Sequence, residues 1–414
     1  MTRAGRTRFG RLYLHVFACA ACVLPVASYV LSTFGWNPAD IGVGTALVGV
    51  AGTIATPAWG WLDDRRPWAP RAAMAAAAVA ATAAAASLGR CAHAVTWAAL
   101  AGFGAAEGPL DAFLTTRILA SGAHGRRLGR IRAFGSVGWV VGLTLAAAVL
   151  TLWPGHGEWV LLTAAVLAIT APRSWGRRPR PRGDAGLPHA PHGPLPLRPV
   201  LRVLAVTFPT SVAMSCVVQF TAGWAHQELS AGPFLALAPI ALSAALELPA
   251  FPWVDRLASR HPARVLAMLA GPPLAVATGA LALAPSSATM LAAQPLVAVS
   301  FALWFVGQSR MLAEAVPADR QASGQTLGAA LSSGAGSLLA GVLGGQLAER
   351  FGYAALFATL AALSLTGLAA GLLRSLHRLR YGGDLKRKFP IKRAADAPQR
   401  AARMASSEEG ASSE

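Results

Sequence analysis

Charged residues are scarce in this sequence, and their scarcity argues against a water-soluble protein. Asp, Glu, Lys and Arg make up 13% of the 414 residues, whereas soluble domains usually carry about 25%. Apolar residues make up 54%, and they occur in runs of about 20 residues, the length of a helix that crosses a bilayer. A soluble chain of this composition would need several large cores. The sequence therefore predicts an all-α membrane protein.

Cysteines and catalytic motifs are also few. Cys19, Cys22, Cys91 and Cys216 lie in or beside apolar runs and lack the spacing of a metal site. The sequence has no phosphate-binding glycine loop, no HExxH pair and no Ser-His-Asp set in its apolar runs. We therefore expect no metal, no cofactor and no enzymatic activity. A membrane-embedded enzyme or lipid-handling protein remains an alternative that no motif supports.

Acidic residues are half as frequent as basic ones, and the positions of the basic residues explain the excess. There are 36 Lys and Arg against 18 Asp and Glu. If the chain crosses the membrane in pairs of helices, all basic residues except Arg90 and Arg350 fall on one side. This asymmetry follows the positive-inside rule and predicts that both termini are cytoplasmic. Nucleic-acid binding is then not needed to explain the charge.

Apolar runs bounded by charge, Gly or Pro predict twelve spans in two halves of six. The predicted spans are 12–33, 41–62, 72–89, 95–117, 132–152, 158–172, 200–224, 232–252, 264–284, 288–312, 322–346 and 353–374. This division predicts a cytoplasmic N-terminus (1–11), two bundles (12–172 and 200–374), a cytoplasmic linker rich in Pro and Arg (173–199), and a disordered cytoplasmic tail (375–414).

The two halves share a faint repeat. The turn predicted after the second span contains Gly60, Asp64 and Arg65, and the turn after the eighth contains Asp255 and Arg256. Equivalent turns with an equivalent acid–base pair indicate pseudo-symmetric halves. Such halves can rock against each other around a site near the middle of the membrane.

Ionisable side chains inside the spans are costly, so each is a candidate functional residue. Glu107 and Asp111 lie four residues apart on one face of the fourth span, and Glu247 lies on the eighth. Two acids at this spacing repel when both are ionised, so the pair either binds a proton or borrows a basic partner such as Arg132. The alternatives are a structural ion pair between the fourth and fifth spans, and a local structural role for Glu247 beside Pro249.

Aromatic and amide side chains add weaker signals. Trp139 lies two turns beyond Arg132 on nearly the same helical face, and an aromatic plate near a cation suits a ring-bearing solute. Core packing or a lipid-facing anchor explains Trp139 equally well. Gln219 and Gln294 are possible hydrogen-bonding residues of a polar pathway.

These residues resemble the major facilitator superfamily over residues 11–374. Gly60, Asp64 and Arg65 look like its signature turn, although the expected second glycine is absent. The stretch from Gly129 to Trp139, GRIRAFGSVGW, resembles the fifth-span motif of the lactose, phenylpropionate and nucleoside permeases.

The resemblance extends to the acids of the fourth and eighth spans. The segments around Asp111 and Glu247 resemble those that carry the sugar-binding and eighth-span acids of lactose permease. The tenth span departs from these relatives, with Val297 where they often have His and Ser300 where lactose permease has its proton-coupling Glu. A proton would therefore have to use Glu107, Asp111 or Glu247.

The resemblance implies a secondary active transporter of the major facilitator fold. Asp111, Arg132, Trp139 and Glu247 would surround one substrate, and the turn with Gly60, Asp64 and Arg65 would help to hold one access state. We expect proton-coupled symport of a sugar, nucleoside or aromatic acid by a monomer in the inner (cytoplasmic) membrane. The alternative is a proton-antiport exporter of hydrophobic or drug-like compounds. The expected partners are the solute, protons and the lipid bilayer.

Overall fold

The structure is a computed structural model that describes residues 3–66, 68–111, 113–114, 128–171, 197–316, 324 and 327–388. Residues 1–368 form one compact unit and residues 369–414 another. Most of the predicted linker and the end of the predicted tail lie outside the described residues.

Over the described residues the regular elements are helices. The first seven are α1 (Arg3–Ala21), α2 (Ala27–Thr33), α3 (Pro38–Arg65), α4 (Ala69–Ser87), α5 (His93–Glu107), α6 (Leu128–Leu152) and α7 (Glu158–Thr170). The others are α8 (Leu197–Leu229), α9 (Pro233–Ala258), α10 (Ala263–Leu269), α11 (Gly271–Leu283), α12 (Ser287–Ala292), α13 (Gln294–Ala315), a π-helical turn (Ala330–Ala335) and α14 (Gly336–Lys388).

Proline, glycine and capping residues set several helix boundaries. Pro25 lies in the turn between α1 and α2, where its missing N–H is tolerated. The side chain of Asn37 caps α3 by accepting from the amide of Asp40 at 2.7 Å, and Pro38 follows at the first helical position. Helix α14 is broken at Gly352, whose φ of 81° is in the left-handed region that glycine adopts at low cost.

The helices have the length and composition of membrane spans. Eight helices of the described part are long and apolar enough to cross a bilayer, and two shorter apolar helices, Phe9–Ala21 and Glu158–Thr170, accompany them. Apolar side chains such as Ile54, Val79 and Leu283 are 73%, 71% and 89% exposed, as expected on surfaces that face lipid.

Two helix ends differ from the predictions. Gly60, Asp64 and Arg65 belong to the last turns of α3, which continues to Arg65, rather than to the turn that follows it. Helix α14 continues to Lys388, beyond residue 374, where the last membrane span was predicted to end. Leu, Arg and Lys, which are frequent in 375–388, favour a helix although the segment is polar.

Helix packing brings distant parts of the chain around one centre. Helix α1 packs along α6, α3 along α5, and α9 against both α6 and α13. In addition, α2 packs against α8, and α3 packs against the π-helical turn. Small residues allow these approaches: Gly138 and Gly142 of α6 lie directly against the backbone of α1 at Leu14 and Ala18.

Candidate functional site

A cavity of about 340 Å³ lies among α1, α5, α6, α8, α9 and α13. This volume falls within the range of small-molecule sites, roughly 300–1,000 Å³. Its apolar wall includes Phe17, Leu24, Trp139, Met214, Val217, Ile240, Val297 and Phe301. Its polar groups belong to Glu107, Ser136, Ser243, Glu247 and Gln294. The cavity thus combines a large apolar surface with a few hydrogen-bonding groups.

Aromatic rings cover two sides of the cavity. The ring of Trp139 on α6 packs against that of Phe17 on α1, with centroids 6.2 Å apart and planes inclined by 55°. On α13, Phe301 meets Phe251 edge to face at 6.1 Å. These contacts fix the orientation of the rings, so a ring-bearing solute can stack on their faces or pack against their edges.

The carboxyl group of Glu247 is hydrogen-bonded across two helices. The hydroxyl of Ser136 on α6 donates to Oε2 of Glu247 on α9 at 3.1 Å. Ser136 is buried at 7% exposure. This hydrogen bond connects two helices that lie far apart in the sequence, and it does so inside the cavity.

Glu107 and Gln294 present acceptor atoms to the same cavity. Glu107 is the last residue of α5, and no described side chain donates a hydrogen bond to its carboxyl group. The Gln294 amide nitrogen donates to the carbonyl oxygen of Met290 at 2.7 Å. That bond fixes the orientation of the amide, because only its nitrogen can donate to a carbonyl. The Oε1 atom of Gln294 is therefore available to accept from a solute.

The structure brings some of the predicted site residues together. Glu107, Trp139 and Glu247 line the one cavity. Asp111 follows the end of α5 by one turn, is partly buried, and is not among the described residues that line the cavity. Arg132 lies in α6, but its side chain is outside the described part. The side chains of Asp64 and Arg65 are likewise outside it.

The tenth-span departures noted in the sequence have distinct positions. Val297 lines the cavity and gives it an apolar surface where relatives often have His. Ser300 is fully buried and donates to the carbonyl oxygen of Ala270 at 2.7 Å, so it ties α13 to the α10–α11 junction instead. Neither residue offers a titratable group to the cavity.

Sequence reasoning missed Ser136 as a site residue. It had one available signal, because Ser136 lies three residues before Trp139 and therefore shares its helical face.

Gln219, considered a pathway residue, is instead engaged in the packing of helices. The hydroxyl of Thr45 on α3 lies 3.0 Å from Oε1 of Gln219 and 3.1 Å from the carbonyl oxygens of Ile41 and Gly42, so three acceptors share its one proton. The Gln219 amide nitrogen donates to the carbonyl oxygen of Ser337 on α14 at 3.3 Å. We call Thr45, Gln219 and Ser337 the Gln219 bridge.

Further contacts reinforce the Gln219 bridge toward one end of the molecule. Gly42 of α3 and Gly341 of α14 touch backbone to backbone, and a Cβ atom on Gly345 would lie 2.6 Å from the carbonyl oxygen of Pro38. Beyond them, Tyr353 donates to the side-chain oxygen of Gln227 at 2.9 Å. The Gln227 amide nitrogen in turn donates to the carbonyl oxygen of Trp36 at 3.5 Å. This end of the helix bundle is closed between α2–α3 and α8–α14.

Comparisons with known proteins agree with this architecture. The model of the MFS_1 like family matches residues 7–359. A mutant of the nucleoside transporter NupG superimposes with a TM-score of 0.74 at 15% identity, covering 89% of this chain and 99% of that one. A bacterial homolog of the human lysosomal transporter Spinster, inward-facing and occupied, gives 0.64 at 13% identity, with coverages of 90% and 93%.

A third structure extends the comparison to a human protein. The human organic anion transporter MFSD10 gives a TM-score of 0.64 at 16% identity, with coverages of 90% of this chain and 100% of that one. No curated protein sequence matches the chain. At these identities the structural likenesses establish the fold alone. The family match over residues 7–359 confirms the resemblance to the major facilitator superfamily that the sequence predicted.

Proposed function

Because the chain belongs to the MFS_1 like family, and is thus a multi-pass membrane transporter of small molecules rather than an enzyme, we propose that it works by alternating access with two six-helix halves. Taking α1 with α2, α10 with α11 and α12 with α13, and dividing α14 at Gly352, gives twelve spans. The proposed halves are residues 12–172 and 200–374, joined by a cytoplasmic linker at 173–199.

The observation that carries the proposal is the central cavity. Its walls come from α1, α5 and α6 of the first proposed half and from α8, α9 and α13 of the second. A site shared by two halves is exposed alternately to the two sides of the membrane when one half rocks against the other. The solute binds between the aromatic surface of Trp139 and the carboxyl of Glu247, with Asp111 and Arg132 as further ligands.

We assign proton coupling to Glu107, which lines the same cavity without a described hydrogen-bond donor. The other candidates are Glu247, which also lines the cavity, and Asp111, one helical turn beyond Glu107. A carboxyl that shares a cavity with the solute can exchange its proton as the solute enters and leaves. The proposed reaction is symport of a proton with a sugar, nucleoside or aromatic acid.

The contacts at one end of the bundle suggest which access state the structure represents. If both termini are cytoplasmic, the closed end formed by α2–α3 and α8–α14 faces outward, and the cavity communicates with the cytoplasm. Gly60, Asp64 and Arg65, at the other end of α3, then take part in the inner gate. The protein would work as a monomer in the inner (cytoplasmic) membrane.

One observation favours a second function. The described lining contains two carboxyl groups, extensive aromatic surface and no cationic side chain. Such a cavity also suits an apolar compound with a positive charge, because a carboxylate and an aromatic face both attract cations. Export of hydrophobic or drug-like compounds in exchange for protons is therefore the alternative.

Proton movement in proteoliposomes tests both functions. Purified protein and the Glu107→Gln variant would be screened against sugars, nucleosides, aromatic acids and cationic drugs. Symport predicts alkalinisation outside the vesicles when the right solute is added, and loss of that signal in the variant. Proton release from the vesicle interior driven only by drugs would reject symport and support the exporter. Uptake without any proton movement would reject coupling in both forms.

A further inference from the structure

We propose that Ser136 is a positioning residue for Glu247, and that the hydrogen bond between them makes the contact between α6 and α9 depend on the charge of Glu247. The inference rests on the proposed transport function. It adds to that function a residue whose hydrogen bonding changes when Glu247 gains or loses a proton.

The geometry of Ser136 is unusual for a hydroxyl on α6. Thr144 and Thr151 of the same helix donate to backbone carbonyl oxygens four residues earlier, those of Val140 and Ala147, both at 2.8 Å. This is the usual arrangement of a hydroxyl inside a membrane helix. Ser136 instead donates to Oε2 of Glu247 at 3.1 Å, on another helix. A hydroxyl has a single proton to donate, so the two arrangements exclude each other.

The choice between the two arrangements depends on the charge of the acceptor. Hydrogen bonds to an ionised carboxylate are roughly twice as strong as those between neutral groups. An ionised Glu247 therefore holds the Ser136 hydroxyl, whereas a protonated Glu247 is a weaker acceptor. The hydroxyl can then turn to the carbonyl oxygen of Arg132, four residues earlier in α6. Protonation thereby loosens one connection between α6 and α9.

Other groups face Glu247 and act with this contact. Glu107 on α5 lines the same cavity, and Gln294 on α13 adds a neutral amide. Arg132 precedes Ser136 by one helical turn, with its side chain outside the described part. The lining from α8, which includes Met214 and Val217, is apolar. A change in the charge of Glu247 thus acts directly on Ser136, the hydroxyl already bonded to it.

The position of this bond relates it to conformational change. Helix α6 belongs to the first proposed half and α9 to the second, and the two pack against each other. Any rocking of the halves must alter the α6–α9 contact. A bond across it that weakens when Glu247 gains a proton lets the halves separate in the protonated, loaded protein and holds them in the unprotonated one.

The test compares Ser136→Ala and Ser136→Thr with the matched control Thr144→Ala. Thr144 lies on the same helix as Ser136, but its hydroxyl donates within that helix and it is not among the residues that line the cavity. Initial uptake is measured in proteoliposomes between about pH 5 and about pH 8. We expect Ser136→Ala to move the pH of half-maximal uptake upward by about one unit, because the ionised carboxylate has lost a donor. Ser136→Thr keeps a hydroxyl and the wild-type profile, and Thr144→Ala leaves the profile unchanged.

A merely structural role for Ser136 gives a different result. Ser136→Ala would then lower the maximal rate equally at every pH without displacing the profile, and this outcome overturns the proposal. So does an equal displacement in Thr144→Ala. If Ser136→Ala does not fold, Ser136→Cys supplies a weak donor of similar size, and an intermediate displacement is expected.

An infrared titration separates failure of this inference from failure of the proposed function. The carboxyl band of Glu247 is assigned by its loss in Glu247→Gln, and its pH midpoint is measured in wild type and Ser136→Ala without any solute. If the wild type transports nothing, the proposed function fails, while a displaced midpoint still supports the Ser136 contact. If transport occurs but the midpoint and uptake profile coincide in the two proteins, this inference alone is rejected.

Discussion

The hydroxyl of Thr45 and Oε1 of Gln219 are 3.0 Å apart, and both residues are buried, at 6% and 7% exposure. Because the amide nitrogen of Gln219 also donates to Ser337, a single side chain links α3, α8 and α14. Both polar atoms of the amide keep these contacts only while the three helices stay together. The Gln219 bridge therefore stabilises the closed end of the bundle.

Replacing Gln219 with Leu should open this end more often. The variant leaves the carbonyl of Ser337 without its side-chain donor, a loss of about 1–2 kcal/mol, which corresponds to roughly a tenfold change in the population of the open state. A cysteine at Val217, in a background with Cys91→Ser and Cys216→Ala, reports opening through labelling by an impermeant thiol reagent added outside. We expect labelling to become about ten times faster.

Gln308 provides the matched control for this experiment. It is a buried glutamine whose amide nitrogen donates to Ser332 at 3.0 Å, but this bond joins α13 to the π-helical turn and does not reach α3. Gln308→Leu should leave the labelling rate at Val217 unchanged. Equal acceleration in the two variants would mean that general loosening, rather than the Gln219 bridge, governs access.

Gly341→Ala should prevent the closed end from forming. Its new Cβ atom would overlap the carbonyl oxygen of Gly42 and approach Cβ of Ala46 to 2.7 Å. Overpacking of this kind costs about 1–3 kcal/mol, so the backbones must separate. We expect solute uptake to fall at least about tenfold while the helix content measured by circular dichroism is retained.

Gly232→Ala is the control for the added methyl group. No atom lies within 4 Å of a Cβ placed on Gly232, which precedes α9. Its uptake should match the wild type. Normal uptake by Gly341→Ala would show that the backbone contact with Gly42 is not required during the cycle.

Trp139→Ala should weaken solute binding more than Trp139→Phe. Both remove the indole, but Phe keeps an aromatic surface beside Phe17. Loss of the ring costs about 1–2 kcal/mol in contact with a ring-bearing solute, which raises the dissociation constant roughly tenfold. Equilibrium binding of labelled solute measures this dissociation constant.

Trp153→Ala is the control, because Trp153 is 50% exposed and outside the cavity lining. This variant should bind the solute as tightly as the wild type does. Equal weakening in Trp153→Ala would count against a role for Trp139.

Glu107→Gln should uncouple solute movement from protons. The amide has nearly the same size but cannot exchange a proton, so exchange of labelled for unlabelled solute across the vesicle should continue while solute-driven proton movement disappears. Glu158→Gln, at the start of α7 and outside the cavity lining, should retain both activities. Persistent proton movement in Glu107→Gln would transfer the coupling role to Asp111 or Glu247.

Part of this site could be predicted because burial of charge in a membrane leaves a clear sequence signal. Glu107 and Glu247 were conspicuous for that reason, and Trp139 for its place in a motif, and all three line one cavity. The positions of most helices followed from long apolar runs. The cost of charge in lipid is a property of a single residue and its neighbours in sequence, so no knowledge of packing was needed.

The remaining features depend on which helices meet. Ser136 bonds to a residue 111 positions away, and Thr45 to one 174 positions away. Serine, threonine and glutamine are common in membrane helices, where a hydroxyl can satisfy itself locally. Nothing in the local pattern distinguishes those that reach another helix. The same limit hid the contact between Gly42 and Gly341 among many glycines that only pack.

The π-helical turn Ala330–Ala335 has a consequence for the glycines that follow it. A π turn holds about one residue more than an α turn, so it rotates the rest of the helix by about 100° relative to an uninterrupted one. The hydroxyl of Ser211 bonds to the carbonyl oxygen of Ser332 at 2.8 Å and so fastens the turn to α8. The π-helical turn, about two turns ahead of Gly341 and Gly345, therefore determines that both glycines face α3. Deleting one residue of the π-helical turn would rotate them away from α3.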